Sequence, residues 1–150
     1  MSVLALTIAD AVVTALNAAT LSQSITFTRE YVPKFDTANA STVQGKVVPK
    51  SDVREMGSAA DDNATILVDI GVMKRLDAYT TAAAEKTEID ALLLLCEEIK
   101  AIINRERMGT SSEFVNVGTA QEIIYSVEEV DNGRVFLTAI TASFATTVAV

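Results

Sequence analysis

The side chains that most often carry chemistry are scarce in this chain of 150 residues. It contains no histidine, the commonest general base and metal ligand at neutral pH, and a single cysteine, Cys96. Serine–histidine and cysteine–histidine catalysis are therefore excluded in their usual forms. A single cysteine without histidine cannot complete a tetrahedral zinc site either. We predict that the protein is not an enzyme and has no catalytic residues.

Carboxylates are the remaining candidates for a site. The run Asp-Asp-Asn at 61–63 is the densest oxygen cluster, but it lacks EF-hand spacing, and a solvated acidic loop accounts for it better than bound calcium. The glutamate pairs at 97–98 and 128–129 are adjacent, and adjacent residues do not face each other on a helix. Neither GxGxxG nor the P-loop pattern occurs. We expect no metal and no cofactor.

The composition indicates a small acidic domain with surplus apolar surface. Hydrophobic residues make up 49% of the chain and aromatic residues only 5%, so the core must consist mainly of Val, Ile, Leu and Ala. Twenty acidic and twelve basic side chains give a net charge of −8. This charge argues against binding of nucleic acid, but it is compatible with a surface that DNA moves past without binding. We predict one domain over residues 1–150, with no signal peptide and no membrane span.

Helical periodicity predicts two helices, Thr7–Ala19 and Thr87–Met108. In each, the first threonine is followed three residues later by an aspartate, the spacing of a capping box, and Gly109 is placed to end the second helix. The second helix is the longest such run without Gly or Pro. Its apolar stripe predicts that Cys96 is buried.

Alternation with a period of two predicts four strands, Ser24–Val32, Thr42–Val48, Ala64–Leu76 and Val135–Val148. Shorter β-type runs lie between Glu113 and Ser126. Apolar residues on both faces make Ala64–Leu76 the central strand. The order of elements predicts an α+β fold, a mainly antiparallel β-sheet with two helices packed against it.

Two segments show no ordinary core pattern. Residues 50–63 are mostly charged or small, and we predict a mobile loop there, either a plain hairpin loop or an arm ordered against a neighbouring subunit. Residues 135–150 carry no charge, and an exposed strand of that kind would aggregate, so it should pair in the sheet or with another chain. Residues 145–150 are predicted to form a C-terminal arm.

On the longer predicted helix, a second line of apolar residues, which includes Leu94, Leu95 and Ile102, makes the apolar stripe wider than one packed face requires. Either the helix is buried on two sides of its own domain, or this line meets a neighbouring subunit. Burying two leucines contributes roughly 3–6 kcal/mol before ordering costs, enough to bias assembly. The residues predicted to contact another subunit or partner come from this helix, the 50–63 segment and the last strand: Leu94, Leu95, Ile102, Arg54, Glu55, Met56, Phe136, Ile140 and Phe144.

Several blocks, all before Gly109, resemble phage neck and tail-completion proteins in the right order. They are IADAVVTALNA (Ile8–Ala18), SITFTREYVPKFD (Ser24–Asp36), VVPKS (Val47–Ser51), DIGVMKRL (Asp69–Leu76) and EIDALLLLCEEI (Glu88–Ile99). The resemblance implies a virion structural protein at the head–tail junction, similar to tail terminators. Such proteins are made in the host cytoplasm and form a ring, expected to be a hexamer, through whose lumen the genome passes.

The implied partners are further copies of the chain, the tail tube, the sheath of a contractile tail, and the head connector, with no membrane. Inside this class, the alternative is a head-closure or adaptor ring one layer nearer the portal. From another class, the alternative is a small intracellular protein-binding module, such as an inhibitor or chaperone, acting through the same apolar surface.

Overall fold

The structure, a computed structural model, describes residues 3–36, 41–76, 81–104, 107–108 and 114–149. Two helices and six strands follow one another as α1 (Leu4–Ala18), β1 (Phe27–Arg29), β2 (Gln44–Met56), β3 (Asp61–Arg75), α2 (Ala82–Ile103), β4 (Arg107–Met108), β5 (Phe114–Ala120) and β6 (Val135–Ala149). A short π-helical turn, Glu129–Gly133, precedes β6.

The strands form one sheet in the order β1-β2-β3-β6-β5-β4. Only β1 and β2 are parallel, and every other neighbouring pair is antiparallel. Strands β3 and β6 pair over their whole length, from Asp61 opposite Ala149 to Arg75 opposite Val135. The prediction of an α+β fold with a mainly antiparallel sheet is confirmed, and β3 is central as predicted.

One face of this sheet forms the core with both helices. Alternate residues of β3 from Ile66 to Val72 point to that face and are fully buried. Helix α1 contributes Ile8, Val12 and Leu16 to the same cluster, and α2 contributes Leu92, Leu95, Cys96, Ile99 and Ile103. The opposite face of the sheet carries no helix among the described residues, and it includes the register pairs Asp69–Thr141 and Gly71–Ala139.

Both predicted capping boxes are wrong. Helix α2 begins earlier, where the side chain of Thr81 accepts a hydrogen bond of 3.2 Å from the amide of Ala84. Thr87 lies inside the helix and donates its hydroxyl to the carbonyl oxygen of Ala83. A threonine within a helix can bond to the carbonyl one turn earlier, so spacing alone does not identify a cap. Helix α2 ends at Ile103, and the predicted C-cap Gly109 lies outside the described residues.

The predicted loop over residues 50–63 is a β-hairpin. Strand β2 continues to Met56, β3 begins at Asp61, and the two pair as far as Met56 opposite Asp62. Pairing satisfies the backbone of this segment whatever its side chains, so a charged sequence without apolar alternation can still form strands. We call residues 51–56 of β2 and 61–66 of β3, with the turn between them, the distal hairpin.

Residues 145–149 are likewise part of the sheet and do not form an arm. They lie in β6 and pair with β3 from Thr65 to Asp61. The distal hairpin therefore continues the central sheet as a three-stranded ribbon. A bulge in β2 lies between Pro49 and Ser51.

The region between β5 and β6 is mostly irregular. The run Asp-Asn-Gly at 131–133, a sequence typical of turns, lies in the π-helical turn, which is followed by Arg134 in the left-handed conformation with φ 55°. The residues between β5 and this turn, which belong to the region predicted to be β-like, instead lie beside β6, where the Ser126 N–H donates to the carbonyl oxygen of Leu137 at 3.0 Å. Within the described part of the chain, no helix is long and apolar enough to cross a membrane.

Candidate assembly surfaces

Four of the nine predicted contact residues belong to the core of the chain itself. Leu95, Phe136, Ile140 and Phe144 are all 0% exposed. A side chain with no accessible surface has nothing to offer a partner, so their assignment to a subunit contact is corrected. Their apolar character reflects packing of α2 and β6 on each other.

The other two helical candidates have accessible surface. Leu94 is 54% exposed, although its neighbour Leu95 is enclosed. Successive helical residues are about 100° apart around the axis, which is enough to separate a buried side chain from an exposed one. Ile102 is half-buried and lies two turns further along α2. Only part of the second apolar line is therefore available to a neighbour.

Arg54, Glu55 and Met56 lie in the distal hairpin, and all three are exposed. Met56 is 84% exposed, the highest value among the large apolar side chains that the structure describes. Arg54 donates from Nε and Nη2 to the two carboxylate oxygens of Asp52, both at 2.9 Å. This hydrogen bond, with the charges of Asp52 and Asp62, raises the pKa of Arg54, but so exposed an ion pair contributes little to stability.

The outer edge of β2 is also accessible. Strand β1 pairs only with Gly45, Lys46 and Val47, so within the described part of the chain no strand covers β2 from Val48 to Met56. This edge carries Pro49, a bulge and several charges, which are the usual protections against unwanted strand pairing. These features should allow the distal hairpin to remain exposed to solvent without pairing with strands of other molecules.

A concave surface on the helix-free face of the sheet was not anticipated from the sequence. We call it the trough. It has a volume of about 480 Å³ and is lined by Gly71, Leu137 and Ala139 of the sheet, by Pro33 and Phe35 before β2, and by Ile123 after β5. Ala139 is exposed, whereas Gly71 is buried, and a Cβ added at Gly71 would lie 3.2 Å from Phe35 Cζ. The small size of Gly71 therefore makes room for the Phe35 ring. Gly71 and Ala139 alternate along β3 and β6 with the fully buried apolar residues. This alternation was the only feature of the sequence that could have indicated a surface on the opposite face of the sheet.

Charged groups also border the trough. Lys50 Nζ lies 3.7 Å from Asp69 Oδ1, and the Thr141 hydroxyl donates to the same oxygen at 2.6 Å. Glu122 lies on the wall beside Ile123. The Asp69 carboxylate therefore already has two partners, whereas the Lys50 side chain remains 52% exposed.

The described residues contain no candidate metal site, and the single cysteine is not an activated nucleophile. No group of three His, Cys, Asp or Glu side chains there could hold a metal ion. The Cys96 thiol is buried as predicted, and burial raises its pKa to about 11, against the opposing effect of a hydrogen bond with Gln121. At neutral pH this thiol is protonated and enclosed, which makes it a core side chain.

Comparison with known proteins supplies a fold and no family. No protein-family model matches this chain, and no curated protein matches it. Among solved structures, a chain from the "Virion of native gene transfer agent (GTA) particle" has a similar fold, with a TM-score of 0.51, 13% sequence identity and 100% of both chains covered. At this identity the likeness shows the fold alone. The chain therefore shares its architecture, from end to end, with one chain of that particle.

Proposed function

We propose that this chain is a structural protein of a phage-like virion, located at the head–tail junction, where it forms a tail-terminator ring. The observation that carries the proposal is the likeness of fold to a chain of a gene transfer agent virion, which spans all of both chains. The resemblance of the blocks before Gly109 to phage neck proteins points to the same class. The ring is proposed to be a hexamer that caps the tail tube and joins it to the head connector.

Exposed apolar side chains support a role in assembly. Met56 is 84% exposed and Leu94 is 54% exposed. A subunit in a ring buries two different patches, one against each neighbour, and these two side chains lie on different elements, the distal hairpin and α2.

The charge and the side-chain inventory suit a passive passage for DNA. A net charge of −8 and the absence of histidine support a protein that neither holds phosphates nor catalyses a reaction. In this proposal the genome crosses the lumen without specific binding. The accessible candidates for contact with neighbouring subunits or tail components are Leu94, Ile102, Arg54, Glu55 and Met56.

The test is to look for rings and to find where they bind. The purified chain is examined by sedimentation velocity and negative-stain microscopy, alone and with isolated tail tubes of the cognate particle. We expect six-fold rings, or caps at one end of the tubes. A chain that stays monomeric at high concentration and is absent from the tube ends would contradict the proposal. Binding to head connectors instead of tubes would indicate the alternative head-closure or adaptor ring.

A further inference from the structure

The chain between β5 and β6 exposes three large apolar side chains close together. Ile123, Ile124 and Val127 are 64%, 57% and 69% exposed, and they lie within a run of five residues. We call residues 121–131 the connecting segment. Single apolar side chains are common on protein surfaces, whereas a group of them bordered by polar residues is typical of a site that contacts another molecule.

The connecting segment holds these side chains outward in a fixed arrangement. The Thr138 hydroxyl donates a hydrogen bond of 2.8 Å to the carbonyl oxygen of Ile123. Tyr125, in the same segment, packs inward on Phe136, with the two ring centroids 6.2 Å apart. Because the backbone is anchored in this way, the apolar surface is already formed before a partner binds, which lowers the ordering cost of binding.

The charges of the connecting segment are all negative. Its charged side chains are exposed carboxylates, and none of them lies within ion-pair distance of a basic side chain that the structure describes: Glu122, Glu128, Glu129 and Asp131. The next basic residue along the chain, Arg134, lies 3.7 Å from Glu85. Carboxylates beside apolar side chains favour a partner surface that carries lysine or arginine beside apolar groups.

A second copy of the chain is a poor source of such a surface. Its net charge is −8. Seven of its basic side chains already lie 3.8 Å or less from a carboxylate of their own chain: Arg29, Lys46, Lys50, Arg54, Lys74, Lys100 and Arg134. Nucleic acid is disfavoured because its phosphates are negative as well.

The partner that fits is therefore a protein other than this one. Given the proposed function at the head–tail junction, on which this step rests, we infer that the connecting segment binds a different virion protein whose contact surface is basic and apolar. The apolar side chains supply the buried centre of the contact, and the carboxylates around them select a partner of opposite charge.

One pair of variants tests the apolar part of the contact in the full chain. Ile124→Ser with Val127→Ser removes apolar surface from the connecting segment. The control, Tyr31→Ser with Val32→Ser, does the same elsewhere, at side chains that are 69% and 57% exposed. All four side chains are exposed, so folding should be retained, and thermal melting verifies this.

A second pair tests the charge. Glu128→Lys reverses one carboxylate of the connecting segment, and Asp90→Lys makes the same change in net charge at an exposed position on α2. Binding of each variant to isolated tail tubes and to isolated head connectors of the cognate particle is measured by biolayer interferometry. Sedimentation velocity measures the self-association of each variant alone.

We expect wild type and both controls to bind one of the two preparations equally well, and both connecting-segment variants to bind it about tenfold or more weakly. Added salt should weaken wild type more than Glu128→Lys. Self-association should be the same in all five proteins. Unchanged binding by either connecting-segment variant would overturn the contact and leave the proposed function standing. Self-association lost only in these variants would place a second copy on this surface and also overturn it. Wild type that binds neither preparation would overturn the proposed function together with the contact.

Discussion

Leu94 and Leu95 provide the sharpest test of how this fold divides core from surface. They are adjacent on α2, yet Leu94 is 54% exposed and Leu95 is 0% exposed. Replacing each by alanine removes the same atoms from the same helix, with the same change in helix propensity. Any difference between the two variants therefore reports their surroundings.

The expected difference is large on the scale of domain stability. Truncating an enclosed leucine costs about 3–5 kcal/mol, because a cavity remains in addition to the lost transfer free energy. Leu94 keeps less than half of its surface buried, so its truncation should cost less than about 1 kcal/mol. A domain of this kind is stable by only about 5–15 kcal/mol, so Leu95→Ala should remove a substantial part of the total.

Urea unfolding, followed by far-ultraviolet circular dichroism at low protein concentration, measures this difference. With a slope of about 1–3 kcal/mol per molar urea, Leu95→Ala should lower the midpoint by about 1 M or more relative to Leu94→Ala. Equal losses in the two variants would refute the packing of α2 described above. At high concentration, Leu94→Ala should weaken assembly if Leu94 belongs to a subunit contact, and unchanged sedimentation would remove it from that surface.

Three further predictions concern the core. Gly45→Ala places a Cβ about 2.4 Å from two ring carbons of Phe27 and should cost about 1–3 kcal/mol in urea unfolding; Gly118→Ala, which meets nothing within 4 Å, is its neutral control. Asn17→Ala leaves the amide and carbonyl of Phe27 without the side chain that bonds both, at 2.8 and 2.9 Å, and should cost about 1–3 kcal/mol, with Asn17→Asp between it and wild type. Burial raises the pKa of the Cys96 thiol in the folded chain to about 11, above its ordinary value of 9.0. The unfolded chain therefore loses its proton first, and wild type should lose stability relative to Cys96→Ala as pH rises between these values, whereas a parallel pH dependence would contradict burial of the thiol.

The spacing of apolar residues was enough to predict a strand or helix wherever only one face of that element is buried. The alternation from Ile66 to Val72 and from Phe136 to Phe144 predicted two strands whose inward residues are indeed fully buried. In β6, Phe136, Ile140 and Phe144 also fit helical spacing, but the β-branched threonines between them favour a strand. These elements are recognisable because each residue's environment is set by its own strand and the layer beneath it.

The distal hairpin was missed because its strands depend on pairing and not on an apolar pattern. Residues 51–56 are mostly exposed and charged, so they carry no period-two signal. Their backbone is held by β3, whose other edge is held by β6. That support comes from residues more than 80 positions later in the chain, and no window of sequence contains it.

The sequence by itself determined the α+β class, the central apolar strand, the buried cysteine and the absence of histidine-based chemistry. These properties follow from the composition and from the spacing of side chains along a single element. Only the tertiary structure decided which leucine of α2 is enclosed, that residues 50–63 extend the sheet, and that Gly71 and Ala139 line a trough. Those features depend on which elements lie beside each other, and side-chain type does not specify the neighbour across a sheet.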